Sequence, residues 1–433
     1  MPKTRDIKIN AFAGMNNLKQ HGRFWADAEH GVAEPRILLN ADVSVSGALV
    51  ERTGTEKVID LPGAHSLWAG RSCMLCVADQ TLYRILQGQA IAVSGLGGSE
   101  VPLSYEEVEG KVYLSNKYGT GVYDPATGNL EQWGIALPPG PMLLSGAGGL
   151  PAGIYHVTMT QTDGQEMSGN GPVAEIQLEE PGGIEIMNRP SGAVVWVTDA
   201  NEGVFYAAGT IDRVVDLPTF EPLPSFMCSP PPPMDLICYA FGRMWGFHED
   251  RLLYSEPFKP GWFKPTTNYI PIDGEGTIIA QVPTGLFVGT KKSTRFLGGT
   301  TPEEMAQSDA GAPSIPGTLS YANNLPELGD VLGTPEKGYV DVPVWRTTEG
   351  IVAGNASGRL FNLSNHKLQM GAPSRGASLY RTVGGVFQYI TTAPASGGDQ
   401  VTKQMFKSGT MDISSAGFAD YATCEVRRGG KLI

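Results

Sequence analysis

A short unit recurs along this chain: a glycine turn, a brief apolar strand, a second tight turn and another strand. Its clearest copy runs from Val108 to Asp124, with turns at Gly110 and at Gly119–Gly121 and a stop at Asp124-Pro125. Other copies are Leu67–Val77 with Thr81–Ile85, Ala240–Phe247 with Arg251–Ser255, Thr284–Gly289 with Thr294–Leu297, and Thr348–Gly354 with Gly358–Leu363. Val383–Ile390 opens a last one. Apolar runs bounded by such turns are hairpin signals. The lead glycines are spaced: Gly70 to Gly110 is 40 residues, Gly242 to Gly285 is 43 and Gly350 to Gly384 is 34. A four-stranded propeller blade takes roughly 40–45 residues. Two intervals are longer, 132 residues from Gly110 to Gly242 and 65 from Gly285 to Gly350. The first fits a blade once an inserted domain of ~90 residues is removed, and the second carries an extra loop of ~20. A lone hairpin is marginal, so the units are expected to stack radially as a β-propeller. An irregular β-sandwich with glycine in its turns is the alternative.

The 433 residues are enough for two or three domains. Gly 56 and Pro 32 are abundant, yet 41% of the chain is hydrophobic and the glycines lie between apolar runs. That combination points to short strands and tight turns rather than disorder. Helical periodicity is nearly absent. The best helical segment is Thr301–Gln307, with Thr301 as N-cap and Pro302 at the first helical position. The net charge of −12 disfavours nucleic-acid binding, which needs phosphates neutralised by Lys and Arg, and suits a surface that DNA slides past. Nothing behind Met1–Asp6 resembles the apolar core of a leader, and no run of ~18 apolar residues suggests a membrane span.

The long interval has its own grammar. Ala136–Pro141 reads as a stiff linker. Evenly spaced strands follow at Gly153–Thr160, Glu166–Leu178, Gly183–Met187, Ala193–Thr198 and Val204–Ala208, with Asp163-Gly164 as a hairpin turn. Ala152-Gly-Ile-Tyr155 and Glu166-Met-Ser168 resemble fibronectin type III domains. Leu223–Met234, with four consecutive prolines, returns the chain as a strut or, alternatively, a proline-recognition ligand. The expected division is residues 1–137 and 223–433 for the two propeller parts and 138–222 for the insertion. The expected fold class is all-β, a β-propeller with an inserted fibronectin type III/Ig-like β-sandwich.

The start of the chain carries a second resemblance. Ile9–Asn17, Leu39–Val43 and Gly47–Gly54 together resemble the opening of β-propeller tail proteins of short-tailed bacteriophages, which form the nozzle at the end of the tail tube. The resemblance spans about 55 residues and rests on structural motifs. It implies a virion tail component, made in the host cytoplasm, assembled as a homo-oligomeric ring, a hexamer, around the DNA channel. Partners would be other tail proteins (adaptor, fibres or tailspikes) and viral DNA passing through the lumen without sequence-specific binding. A receptor-binding or glycan-cleaving propeller and a head-to-tail adaptor are the alternatives.

Chemistry is not legible. His21, His30, His65, His156, His248 and His366 have no chelating spacing, and no nucleophile elbow or phosphate loop occurs. His248-Glu-Asp250 is an acid/base cluster or, more simply, a solvated turn. Glu106-Glu107 and Glu179-Glu180 are adjacent, and adjacent residues on a strand point to opposite faces. Cys73 and Cys76 lack a second pair, so Cys73, Cys76, Cys228, Cys238 and Cys424 read as free, mostly buried thiols. No catalytic residue, cofactor or metal site is assigned, and no enzyme activity is expected. The interface candidates are Trp262 and Phe263, in an aromatic loop over Glu256–Phe263, and Glu303 and Tyr321, in the polar Thr300–Lys337 insertion. Trp245, Trp262 and Trp345 are the aromatics that a glycan pocket would use. Ala422–Val426 is expected to close the ring beside an N-terminal strand, and Arg427–Lys431 to form a basic tail.

Overall fold

A computed structural model describes residues 9–12, 16, 32–35, 41–44, 46–51, 57–96, 101–217, 221–322, 341–364, 373–383, 386–392, 427–428 and 431–432. These residues are all-β, built from small sheets, with no helix among them. The Ala422–Val426 strand, Cys424, His21, His30, His366, Gly384, much of the motif-bearing opening and residues 323–337 of the long insertion lie outside the described residues. Near the start, β1 (Ala11–Phe12) pairs in parallel with β2 (Val32–Ala33), and β3 (Ala41–Val43) pairs antiparallel with β4 (Leu49–Glu51). The chain divides into two compact units, residues 1–100 with 273–433, and residues 101–272.

In the first unit, β5 (His65–Ala69), β6 (Met74–Ala78), β7 (Thr81–Leu86) and β8 (Gln89–Gly95) form a four-stranded antiparallel sheet in sequence order. The second unit begins with another, β9 (Ser104–Val108), β10 (Lys111–Asn116), β11 (Gly119–Tyr123) and β12 (Leu130–Glu131). There follow β13 (Leu143–Leu150), β14 (Gly153–Thr160), β15 (Ala174–Leu178), β16 (Gly182–Ile186), β17 (Val194–Thr198), β18 (Phe205–Gly209) and β19 (Arg213–Val214). They make two sheets, of order β13-β16-β19 and β15-β14-β17-β18. The unit ends with β20 (Ile237–Ala240), β21 (Arg243–His248), β22 (Arg251–Glu256), β23 (Lys259–Phe263) and β24 (Tyr269–Pro271), the last pairing with β22.

The first unit resumes with β25 (Gly276–Val282), β26 (Gly285–Thr290), β27 (Thr294–Gly298) and β28 (Ala306–Gly311), again a sheet in sequence order. The next sheet is β29 (Ser320–Ala322), β30 (Val342–Thr347), β31 (Gly350–Gly354) and β32 (Leu360–Asn362). Two hairpins follow, β33 (Ala377–Val383) with β34 (Val386–Thr392), and β35 (Arg427–Arg428) with β36 (Lys431–Leu432).

Two of the lead glycines supply the tight turns of the repeat. Gly110 (φ 81°) follows Glu109 (φ 51°) between β9 and β10, and Gly242 (φ 72°) follows Phe241 (φ 53°) between β20 and β21. Two successive positive φ values make a type I′ turn, whose twist matches the strands it joins, and glycine enters that region without strain.

Core formation follows the strand periodicity. In the sandwich, Tyr155, Val157 and Met159 of β14 and Val195 and Val197 of β17 meet Ile184 and Ile186 of β16 and Val214 of β19 between the two sheets. In the first unit, Phe287 and Phe296 stack at 4.9 Å between ring centroids, and Trp345 lies 5.4 Å from Phe287, joining β25–β28 to β30 and β31. The β33–β34 hairpin adds to this unit where the Tyr389 hydroxyl donates to the Thr318 carbonyl at 2.5 Å.

Several expectations change. Thr301–Gln307 is not helical: residues 301–304 form a turn closed by Glu304 N–H to Thr301 O at 3.1 Å, and Ala306 begins β28. The pairing of β28 with β27 supplies the backbone partners that one turn of helix would have had to supply alone, and so short a helix is marginal in water. Glu179 and Glu180 sit in a bend after β15, not on a strand. Glycine-rich Leu143–Leu150, on which the sequence carried no reading, is a strand paired with β16 over Leu143–Gly146 and again at Leu150, with a register shift between.

Trp345 is fully buried against Phe287. Trp345→Ala is expected to lower stability by about 3–5 kcal/mol, read as a shifted urea midpoint in far-UV circular dichroism. Tyr118→Ala, at an exposed turn, should stay within about 0.5 kcal/mol.

Candidate interaction surface

Trp262 and Phe263 are neighbours on β23 and therefore point in opposite directions. Phe263 faces inward: it is fully buried, and its ring meets Trp133 edge-on at 6.1 Å. Its backbone exchanges two hydrogen bonds with Ser229, at 2.8 and 3.0 Å. Trp262 is half-buried, donates from Nε1 to the Met167 carbonyl at 2.6 Å, and carries the Lys259 ammonium 5.3 Å from its ring centroid. Its indole thus ties β23 to the sandwich hairpin around Asp163. Glu256–Phe263 is an ordered hairpin whose tip, Phe258, is the exposed aromatic at 76%. In the first unit, Glu303 is exposed in the 301–304 turn. Tyr321, on β29, is 37% exposed, and its hydroxyl accepts from Gln281 N–H at 2.8 Å. The four candidates are thus divided between the two units rather than gathered on one element.

The sandwich is held to its flanking sheets by backbone contacts at close range. A Cβ on Gly169 would lie 1.6 Å from the Cys228 carbonyl oxygen, so only a glycine lets these two chains pass. Ser225 Oγ donates to Ser168 O at 2.8 Å, and Met227 N–H donates to Asn170 Oδ1 at 2.6 Å. Asp163 accepts from Gln165 and Glu166 N–H, both at 2.8 Å, and these donors hold its carboxyl below the usual range, with Lys111 adding to the effect.

Between the flanking sheets lies a polar seam. Ser115 Oγ donates to Met234 O at 2.8 Å and accepts from Met234 N–H at 2.9 Å. Ser104 Oγ accepts from Ile237 N–H at 3.0 Å. Trp133 Nε1 donates to Pro260 O at 2.9 Å. Pro230–Pro233 continue this seam, with Pro233 O 2.8 Å from His248 Nδ1. The prolines therefore lie against their own sheets. Glu106, opposite Tyr113 in the β9–β10 register, has its carboxyl pushed up to about 7 by burial, with neighbouring Glu107 adding to the rise and the Tyr239 N–H opposing it. Tyr113 stacks on Trp133 at 5.1 Å, and its hydroxyl is raised far above its usual value by burial and by Glu166.

Trp245 and Trp345 are fully buried, so neither offers a ring to a ligand from solvent. Cys76, Cys228 and Cys238 are buried and outside any disulfide, while Cys73 is half-buried. Among the described residues no group of three His, Cys, Asp or Glu side chains is placed to hold a metal ion, and no helix is long and apolar enough to cross a membrane. The sequence did not point to Met142, Leu144 and Met187, exposed at 63%, 52% and 61% on the sandwich. Their one signal is the Met-Leu-Leu run at 142–144, out of place in a loop.

No family model matches the chain, and no curated protein matches it. Among solved structures it is similar to BBS1N in complex with ARL6DN, at 8% identity over 77% of this chain and 89% of that one, with a TM-score of 0.32. It is similar also to apo AztD from Citrobacter koseri (12% identity, 71% and 88% covered, TM-score 0.26) and to the N-terminal domain of Nup159 (10%, 74% and 80%, TM-score 0.25). At these scores none bears on what the chain does.

Two outcomes test the seam. Gly169→Ala is expected to destabilise by about 1–3 kcal/mol, because the obstacle is backbone, measured by urea unfolding. Because burial raises the Glu106 pKa above its unfolded value, the folded state holds a proton the unfolded state has released. Stability is then full below about pH 4.5 and falls as pH rises to about 7, by about 2 kcal/mol. Glu106→Gln should remove that fall in a pH series of melts.

Proposed function

We propose that the chain is a structural subunit of a bacteriophage tail, a nozzle or tail-tube component that forms a ring around the DNA channel. The reading rests on the resemblance of Ile9–Asn17, Leu39–Val43 and Gly47–Gly54 to short-tailed phage tail proteins. The observation that carries it furthest is architectural. Four-stranded sheets in sequence order occur before and after a two-sheet sandwich, and that sandwich, Leu143–Val214, lies within the 132-residue interval between Gly110 and Gly242. In this reading the sequential sheets are propeller blades. The sandwich, of sheets β13-β16-β19 and β15-β14-β17-β18, is in this reading a fibronectin type III-like insertion.

A ring of identical chains needs head-to-tail contacts, for which the sandwich and the Thr300–Lys337 insertion are the natural elements. The net charge of −12 suits a lumen that DNA crosses without adhering. The resemblance implies six copies. A glycan-cleaving propeller draws less support, since Trp245 and Trp345 are buried.

Mass photometry and negative-stain imaging of the full chain test the reading. A closed ring of six chains with a central opening is the expected result, and a strict monomer at micromolar concentration overturns it. Depolymerisation of host surface polysaccharide by the purified protein would favour the glycan-cleaving alternative.

A further inference from the structure

Among the described residues, the first strand of the sandwich has a partner on one side alone. In the sheet β13-β16-β19, β13 pairs with β16 alone. Met187 N–H donates to Met142 O at 2.9 Å, and the register continues as Leu143↔Ile186, Leu144↔Glu185, Ser145↔Ile184 and Gly146↔Gly183. Hydrogen-bonded pairs alternate along an antiparallel ladder. Met142, Leu144 and Gly146 therefore address β16, while the N–H and C=O groups of Leu143 and Ser145 point to the open side. Among the described residues nothing pairs with them. Natural sheets protect such edges with charge, proline or a covering element. Residues 142–150, Met-Leu-Leu-Ser-Gly-Ala-Gly-Gly-Leu, contain neither charge nor proline.

The outer face of the same sheet is apolar at this edge. Leu143 packs on the core, so Met142 and Leu144 turn outward. Met187 stands beside Met142, and the β16–β19 register places Ile211 next in the row, 37% exposed. Glu185, opposite Leu144, faces Arg213 at 3.7 Å, so the charges on this face sit beside their opposites.

We propose that β13 pairs edge to edge with β13 of a second copy of this chain, antiparallel about a two-fold axis at Leu144. The strand is self-complementary in this register. Leu143 meets Ser145 of the second copy, and Ser145 meets its Leu143, so both sets of open backbone groups close on each other. Leu144 meets its own counterpart as a non-hydrogen-bonded pair, the arrangement that brings side chains closest. Met142 lies opposite a glycine, Gly146, which opposes it with no side chain. The uncharged strand and the locally paired Glu185 and Arg213 let the copies approach despite a net charge of −12 each. A strand added to an exposed edge gains main-chain hydrogen bonds and side-chain contact together, and a three-stranded sheet becomes six-stranded. This two-fold contact is distinct from the head-to-tail contact of a ring and does not depend on the tail reading.

Leu144→Cys in the full chain tests the register. A non-hydrogen-bonded pair sets the two Cα atoms about 4.5 Å apart, within disulfide range. Under copper phenanthroline the variant should form a covalent dimer at least about tenfold faster than Tyr118→Cys, a cysteine at an exposed turn away from the sandwich. Leu144→Lys, at a half-exposed position the fold tolerates, should weaken self-association by roughly tenfold or more in sedimentation equilibrium, because like charges would face each other. Cross-linking no faster than the control, or wild-type association of the lysine variant, overturns the proposal and leaves the edge to a strand from a different protein. Hexamers that fail to cross-link at Leu144→Cys would sink this contact alone, and a covalent dimer without rings would sink only the tail reading.

Discussion

Two serine hydroxyls close the chain around its insertion. Ser115 and Ser104 sit on neighbouring strands of one sheet and hold the backbone of Met234 and Ile237, 119 and 133 residues further on. Everything between them, including the whole sandwich, leaves and returns across that seam. A fully buried serine that bonds both the N–H and the C=O of one residue acts as a surrogate strand partner. It satisfies groups that would otherwise cost 1–3 kcal/mol each when buried unpaired. The tight fit around it follows: Met234 fills the space over Gly246, Trp133 reaches Pro260, and Phe263 closes the same core from the far strand.

Glycine serves this structure in two physically different ways. At Gly110 and Gly242 it supplies the positive φ of the hairpin turns. At Gly169 it supplies absence, letting one backbone pass another where any Cβ would collide. The first use recurs with the strands and is visible as a rhythm. The second depends on which distant segment arrives, and leaves no local trace. Gly148, in β13, belongs to the second kind, since a Cβ there would meet the backbone of Gly182 and Gly183.

Two strongly shifted groups, Glu106 and Tyr113, lie in the seam between sheets and owe their shifts first to burial. They report how dry that seam is. On the sandwich, by contrast, the outer face near β13 carries apolar side chains in water and an open ladder beside them. Such a combination has a physical meaning only in the presence of something to cover it.

The hairpins were legible in the sequence because their cause is local: strand periodicity and turn residues act within a few positions. The long interval between Gly110 and Gly242 was visible for the same reason, as a break in that rhythm. Trp262 was named as an interface candidate, and no local signal announced the bond its indole makes within the chain, to the Met167 carbonyl 95 residues away. Phe263 was not separable from it, since only the pleat decides which of two neighbours faces the core. Thr301–Gln307 had the local signature of a helix start, and its pairing with β27 took Ala306 onward into a sheet. Leu143–Leu150 has the composition of a loop and is a strand because β16 lies beside it. Sequence alone thus determined where the hairpins with strong turn residues lie. Tertiary structure decided which further stretches extend, which of them pair, which aromatic is buried and which edge stays open, because those outcomes depend on segments from about a dozen to more than a hundred residues apart arriving at the same place.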